Sequence, residues 1–376
     1  MPVKPAKPVL GGRDKVKVAI AQKSPVFMNL DASVERAEGL IGEAGRNGAQ
    51  LVVFPEAWLA GYPYWTEGWD SVLPQWAGGR ILFRDNALVV PGEHAERIAH
   101  ATRKAGVYVV LGCNEMDPRP AVSTIYNSLI FFAPDGSVMG RHRKLMPTFT
   151  ERLFWGQGDA SDLVVFDTDI GRLGGLICGE HLMTLVRASM IAQGEDIHIA
   201  AFPGAFELHT GPQLEEPEKA GCFWGHFEVR AHAFEAGAFV VSACAAINDD
   251  DVAADFPYKG KMNIGYANGG SEVIAPLGIA LAGPTYGEAM VYAELEAWMI
   301  KATKAIVDTM GHYARPDVLR LLMRGEQGWE PVGQARDLAP VRAVLTDDAL
   351  KRAADARDVA SERVLEMAEG VRRAAA

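Results

Sequence analysis

From residue 15 onward, apolar and polar positions follow two alternating patterns. KVKVAIAQ (15–22) alternates and then turns apolar, as an entering strand does. The segment that Asn29 or Asp31 can cap has helical character through about Arg46, with Gly48 where a helix commonly stops. LVVFP follows and ends on Glu56. Further apolar runs at VYVVLG (107–112), Asn127 to Phe132, LVVFD (163–167), DIHIAAFP (196–203), FVVSACA, SEVIAP and MVYAEL read as strands. Residues 93–105, the stretch from His181 to near Gly194, the stretch from about Glu218 to Ala236 and a last one through about Met310 read as helices, and LGIALAGP reads as a turn. EAWLAGYPYWTEGWDSVLPQWAGG (56–79) and HRKLMPTFTERLFWGQGD (142–159) have no clean period, so they read as loops whose aromatic side chains must bury against something. Strands that are apolar almost throughout and separated by helices imply a layered α/β fold with buried sheets.

RLGGLICGEHLMTLVR (172–187) is the stretch around which the chain is organised. Leu173 to Ile177 reads as a short buried strand, and the spacing of Leu182, Leu185, Val186, Ser189 and Met190 suits a helix from His181 onward. Cys178 therefore stands at a strand-to-helix turn that Gly179 allows to bend sharply, with the following N–H groups at the positive end of a helix. A lone cysteine after an apolar run is more often a small core residue. Three polar residues in comparable places change that balance: Glu56 after LVVFP, Lys144 in HRKL and Glu151 in PTFTER. A thiol needs a base or a cation beside it to become the dominant nucleophile. His142, His181 and His232 are the histidines nearest to motif-like context, and none sits in a pattern that ties it to Cys–His catalysis. A buried carboxylate can take the thiol proton instead, and a lysine can hold charge developing on an attacked carbonyl or nitrile. Taken singly, Lys144 between basic neighbours reads as a solvated turn, and Glu151 beside Arg152 as a surface ion pair.

Composition narrows the partners. The 376-residue chain has a net charge of −11, which argues against nucleic-acid and anionic-membrane surfaces. Cys113, Cys178, Cys222 and Cys244 form no CxxC pair, so neither zinc site nor disulfide framework is expected; Cys113, Cys222 and Cys244 read as structural. Without an apolar run long enough for a signal peptide or membrane helix, the expectation is a cytoplasmic protein. Residues 1–14 read as a flexible lead. From about 331 the composition shifts to Ala, Arg, Asp and Glu, so 326–376 reads as a charged helical tail suited to contact with another subunit.

Taken together, VVFPEAWLAGYP, HRKLMPTFTERLFWGQGD and GRLGGLICGEHLMTLVR resemble the glutamate, lysine and cysteine motifs of the nitrilase superfamily, in its order and at its spacing. The resemblance continues through RAHAFEAGAFVVSA (230–243) and IAPLGIALAGP to MGHYARPDVLRL (310–321), covering roughly residues 15–325, and its ending and ERxxWGxGD run are most similar to the true nitrilase branch. It implies a four-layer α-β-β-α sandwich with Glu56 as general base, Cys178 as nucleophile and Lys144 as stabiliser of the tetrahedral intermediate. Glu151 would be a second carboxylate positioning Lys144 or substrate. It implies hydrolysis of an organic nitrile to acid and ammonia through a thioimidate and a thioester, with no metal or organic cofactor. Assembly through dimers into larger homo-oligomers or helical filaments is also implied; 209–221, 300–320 and the tail are the segments expected at subunit contacts. Gly179 stands where many relatives have Trp, and Thr184 where Pro is frequent. The missing indole leads to the expectation of a bulky or aryl-bearing nitrile. Tyr62, Trp65, Phe149, Trp155, Gly179, His181 and Phe202 are candidates for the substrate pocket, with core packing or capping as the competing reading. An amide-forming, cyanide-hydrating or amidase member of the family, or a silent scaffold subunit, are the rival readings.

Overall fold

The alternating segments become two mixed sheets stacked face to face, seen in a computed structural model that describes residues 8–66, 73–119, 122–205, 224–319, 321 and 323. The first half runs β1 (Lys15–Gln22), α1 (Leu30–Arg46), β2 (Leu51–Val53), α2 (Leu73–Asp85), β3 (Leu88–Val89), α3 (Glu93–Ala105), β4 (Tyr108–Met116), β5 (Ile125–Phe132) and β6 (Val138–Arg143). The second runs β7 (Phe166–Thr168), β8 (Gly171–Ile177), α4 (Thr184–Gln193), β9 (Ile197–Phe202), α5 (Trp224–Ala236), β10 (Phe239–Cys244), β11 (Gly269–Ile274), β12 (Ala280–Tyr286), β13 (Ala289–Glu296) and α6 (Ala297–Ile306). Among the described residues one sheet has the order β13-β1-β2-β4-β5-β6 with β3 beside β4, and the other the order β12-β11-β10-β9-β8-β7. Each sheet has parallel strands at its centre (β1, β2 and β4; β8, β9 and β10) flanked by antiparallel ones.

The period of two in β1 sorts its side chains between layers. Val16, Val18 and Ile20 join Leu173, Ile177, Ile199 and Val241 in the core between the sheets, while Ala19 and Ala21 pack with Val34, Ala37 and Ile41 of α1 and Ile98 of α3. Val229 and Ala233 of α5 lie against the second sheet, completing the α-β-β-α sandwich. Gln22 ties the sheets at one end, accepting from the Ser271 N–H and donating to the Thr285 and Gly287 carbonyls. Asn29 caps α1 by accepting from the Ala32 N–H.

Several elements depart from their sequence reading. Leu73–Asp85 is a helix that begins within the segment read as a loop and runs past its end; Gly78 and Gly79 hide its period, and Pro74 stands in its first turn, where a missing N–H costs no hydrogen bond. LGIALAGP holds the start of β12, which pairs with β11. The helix after Cys178 begins at Thr184, preceded by a 3₁₀ turn over Cys178–Leu182, and the helix after β13 ends at Ile306 rather than near Met310. Part of the expected flexible lead is packed: Val9–Gly12 forms a turn with Leu10 buried. The loop 209–221, Cys222 and the tail 326–376 lie outside the described residues.

Gly112 of β4 sets how closely that strand approaches the segment after β2. A Cβ there would fall 1.8 Å from the Pro55 carbonyl oxygen and 3.1 Å from the Glu56 Cα. Gly112→Ala is expected to destabilise the fold by about 3 kcal/mol or more in urea unfolding, the cost of overpacking against backbone that cannot yield, and to displace Glu56 so that activity falls as well.

Candidate active site

Three strands end at one place. Glu56 follows β2, Lys144 follows β6 and Cys178 follows β8, while Glu151 sits in the short 3₁₀ turn Phe149–Leu153. The backbone is bent to achieve this: Ala57, Phe149 and Cys178 have φ of +47°, +43° and +49°, a left-handed region that residues with a Cβ seldom occupy. Strained backbone thus lies beside or at each of the acidic and thiol groups. All four side chains are buried, with Lys144 at 0% exposure.

Lys144 Nζ donates to Glu56 Oε1 and to Glu151 Oε2, both at 2.8 Å. Asn127 Nδ2 donates to the same Glu56 oxygen at 2.6 Å, and Tyr62 Oη donates to Glu151 Oε1 at 2.9 Å. Glu151 Oε2 also accepts from the Thr148 N–H, which fixes its turn. Glu56 Oε2 is buried without a hydrogen-bond partner among the described residues, the oxygen left open to take a proton. Burial raises the Glu56 carboxyl to about 7 against the opposing pull of Lys144. Burial would lower the Lys144 ammonium, but the carboxylates of Glu151 and Glu56 outweigh it and hold it well above its usual range. Burial first, and then the charge of Glu56, push the Cys178 thiol well up, while Lys144 and the Gly179 N–H pull the other way. The resting sulfur is therefore a neutral thiol beside a carboxylate poised near neutrality.

Glu180 locks two of these segments together. Its carboxylate accepts from the Ile177 N–H at 2.8 Å and the Leu145 N–H at 2.7 Å and is bonded to His142 Nε2 at 2.7 Å, so the turn bearing Cys178 and the strand end bearing Lys144 share one buried anchor. Asn127 and Glu180 were missed as site residues from sequence, although an Asn inside the apolar run of β5 is itself a signal that a buried partner exists.

The pocket candidates separate. Tyr62 and Trp155 lie together, rings 5.5 Å apart, with Tyr62 on Glu151 and Trp155 Nε1 donating to Asn114 Oδ1. Gly179 adjoins Thr148, whose Oγ1 would be 2.9 Å from an added Cβ, so part of the room left by the missing indole is bounded by that hydroxyl. Trp65 lies in the same buried cluster as Tyr62 and Trp155, against Phe27, Phe83, Phe154, Phe256 and Tyr258, and Trp155 also meets Phe83. Phe149, on its left-handed backbone, is 86% exposed rather than part of a buried wall. His181 is fully buried, with Nδ1 on the Cys178 carbonyl and Nε2 on His198, and Phe202 packs on its ring. Glu195, His198 and His232 bring one donor atom each within 4.8 Å of one another, a set able to hold a metal ion by spacing alone. These atoms face each other as hydrogen-bond partners, a pairing that protons explain without a cation. Glu180→Gln is expected to cost about 3–5 kcal/mol in urea unfolding, the range for breaking a buried ion pair, because the amide cannot replace all three bonds.

Comparison with known proteins agrees with this geometry. The carbon-nitrogen hydrolase family model matches residues 17–305. A nitrilase 2 from an unknown prokaryotic organism is 35% identical over 318 residues, covering 83% of this chain and 93% of that one. The bifunctional nitrilase/nitrile hydratase NIT4B of Nicotiana tabacum is 36% identical over 319 residues, covering 82% of this chain and 86% of its own. In fold, the crystal structure of Saccharomyces cerevisiae Nit3, a member of branch 10 of the nitrilase superfamily, aligns with a TM-score of 0.61 at 24% identity over 80% of this chain and 97% of its own. With the family model spanning both sheets and the strand ends that carry Glu56, Lys144 and Cys178, the chain belongs to the carbon-nitrogen hydrolase family of the nitrilase superfamily.

Proposed function

We propose that the protein is a nitrilase, converting an organic nitrile and two waters to a carboxylate and ammonium through Cys178. The observation that carries this is the fully buried Lys144 held between Glu56 and Glu151. In the first step the Cys178 proton passes to Glu56 while sulfur adds to the nitrile carbon, and the nitrogen takes up a proton to give a thioimidate. Charge moves from one buried group to another next to Lys144, so little new solvation is required. Glu56, deprotonated again, takes a proton from water as it adds. The carbon–nitrogen bond then breaks, ammonia leaves, and a thioester remains. A second water, activated in the same way, releases the carboxylate and restores the thiol. If the thiolate leaves before ammonia, the product is the amide. The printed name of the tobacco relative, which joins nitrilase to nitrile hydratase, favours keeping that partition as the second reading.

The substrate preference proposed is for bulky or aryl-bearing nitriles, supported by Gly179 next to the nucleophile and the rings of Tyr62 and Trp155 near Glu151. Homo-oligomerisation is proposed through α4 and α5, where Leu185 is 72% and Phe227 63% exposed. Assembly into filaments and a cytoplasmic location belong to the same reading; no helix among the described residues is long and apolar enough to cross a membrane.

Ammonia release and product identity across aryl, arylaliphatic and aliphatic nitriles, their amides and cyanide test the assignment. Acid from nitriles, abolished in Cys178→Ala, is the expected result; ammonia from amides alone overturns it, and reaction with only short aliphatic nitriles or cyanide removes the aryl preference. Because Glu56 acts deprotonated and its pKa is raised to about 7, kcat/KM is expected to fall about tenfold per pH unit below that value. Glu56→Gln should lose roughly 10²–10⁴-fold, the usual worth of a general base. Leu185→Glu with Phe227→Glu is expected to shift the assembly to a smaller species in sedimentation velocity.

A further inference from the structure

Behind the Cys178 turn lies a row of four fully buried groups that the chemistry above does not use. His181 Nδ1 stands 2.9 Å from the Cys178 carbonyl oxygen, and His181 Nε2 is 3.0 Å from His198 Nε2. His198 Nδ1 is 2.8 Å from Glu195 Oε1, and His232 Nε2 is 2.9 Å from Glu195 Oε2. The His198 and His232 rings lie 3.8 Å apart at 32°. Space for this carboxylate is built into β8: a Cβ on Gly174 would fall 2.1 Å from Glu195 Oε1.

Counting protons along the row fixes its charge. A carbonyl only accepts, so His181 Nδ1 carries a proton. One more must sit between the two Nε2 atoms, and an ionised Glu195 accepts from His198 Nδ1 and His232 Nε2. His181 and His198 then hold three protons, one more than two neutral imidazoles. Burial would raise the Glu195 carboxyl, but the charge of and hydrogen bond from His198, with His232, hold it down at about 2. Burial and the neighbouring His198 hold His181 well below its usual value. Burial lowers His232 to about 4. With Glu195 ionised, the extra proton is held within the hydrogen-bonded His181–His198 pair, against the Glu195 carboxylate.

We propose that this buried His198–Glu195 pair acts through His181 and the Cys178–Gly179 peptide to stabilise negative charge on the nucleophile's sulfur. The two ends of that peptide carry the link: its carbonyl accepts from His181, and its N–H, that of Gly179, is a backbone donor that pulls the Cys178 thiol down. A donor on a peptide carbonyl polarises the same peptide's N–H, and in a low-dielectric interior such chains reinforce one another. His181 also holds the Cys178 carbonyl in place while that residue is left-handed at φ +49°. His181, His198, Glu195 and His232 are positioning residues in this scheme. The groups facing the row from other elements are Arg187 of α4, paired with Glu235 of α5 at 2.7 Å, and the Phe202 ring. Facing the sulfur are Glu56, Lys144 and Glu151, with Tyr62 beside them.

The inference rests on Cys178 as nucleophile but not on nitriles as substrates, so its test uses neither nitrile nor amide. The rate at which iodoacetamide alkylates Cys178, located by peptide mapping, is followed against pH in the full-length protein, in Glu195→Gln, which keeps shape and removes charge, and in His181→Asn, which ends the contact with His198. Both variants are expected to move the alkylation profile up by about one pH unit, a tenfold slower reaction at neutral pH. In turnover, kcat should fall about tenfold or more with KM within twofold. A purely structural role would lower the melting temperature and leave the alkylation profile where it was. Folded Glu195→Gln with a wild-type profile overturns the proposal; should that variant fail to fold, an unmoved profile in His181→Asn overturns it equally. A wild-type Cys178 that resists alkylation at every pH also overturns it, since no activated sulfur would exist for the row to act on. Shifted profiles in a protein that hydrolyses no nitrile would sink the proposed substrate and leave this inference standing.

Discussion

Everything at this site depends on keeping an ammonium ion out of water. Lys144 is fully buried, and an isolated charge there would shift its pKa or unfold its surroundings. Two carboxylates at 2.8 Å prevent that. They impose a geometry in return, because Glu56 and Glu151 come from different segments and must both reach the same nitrogen. Tyr62, Asn127 and the Thr148 N–H then satisfy most of the remaining carboxylate valences. What they leave over is one oxygen of Glu56. Burial raises the Glu56 carboxyl to about 7 against the pull of the shared cation, and burial keeps the Cys178 thiol protonated.

The strand ends supply the rigidity that such a cluster demands. Phe54 N–H bonds to the Val110 carbonyl and Lys144 N–H to the Asn127 carbonyl, so sheet pairing continues right up to Glu56 and Lys144. Glu180 then couples the Cys178 turn to Leu145, and His181 couples it to β9. Left-handed backbone at Ala57, Phe149 and Cys178 is tolerated because these contacts over-determine it. The Cys178 turn is held from both sides, by Glu180 toward the first sheet and by His181 toward the second.

Much of the architecture was legible from period alone. β1, α1, α3, β5 and β9 lie within a few residues of where their apolar patterns place them, since each has one clearly buried face or is buried throughout. α2 was not, because two glycines break its pattern. β12 was not, because its side chains are largely part-exposed and carry no apolar alternation. Leu182 and Leu185, which helical spacing assigns to a core face, stand exposed because the helix starts at Thr184 and turns Val186 and Met190 inward instead.

The sequence by itself determined the family and singled out Glu56, Lys144, Glu151 and Cys178 as candidates, since motif order and residue type survive in one dimension. Only the tertiary structure decided what each aromatic touches: Tyr62 and Trp65 are three residues apart, yet one bonds Glu151 and the other packs among Phe27, Phe83 and Phe154. It also decided the histidines. Nothing local to His181, His198 or His232 shows that they form one hydrogen-bonded row with Glu195, because that bond pattern exists only once β9 and α5 are brought behind the Cys178 turn. Proton positions follow from which acceptors meet which donors, and those meetings are made by packing between segments far apart in the chain.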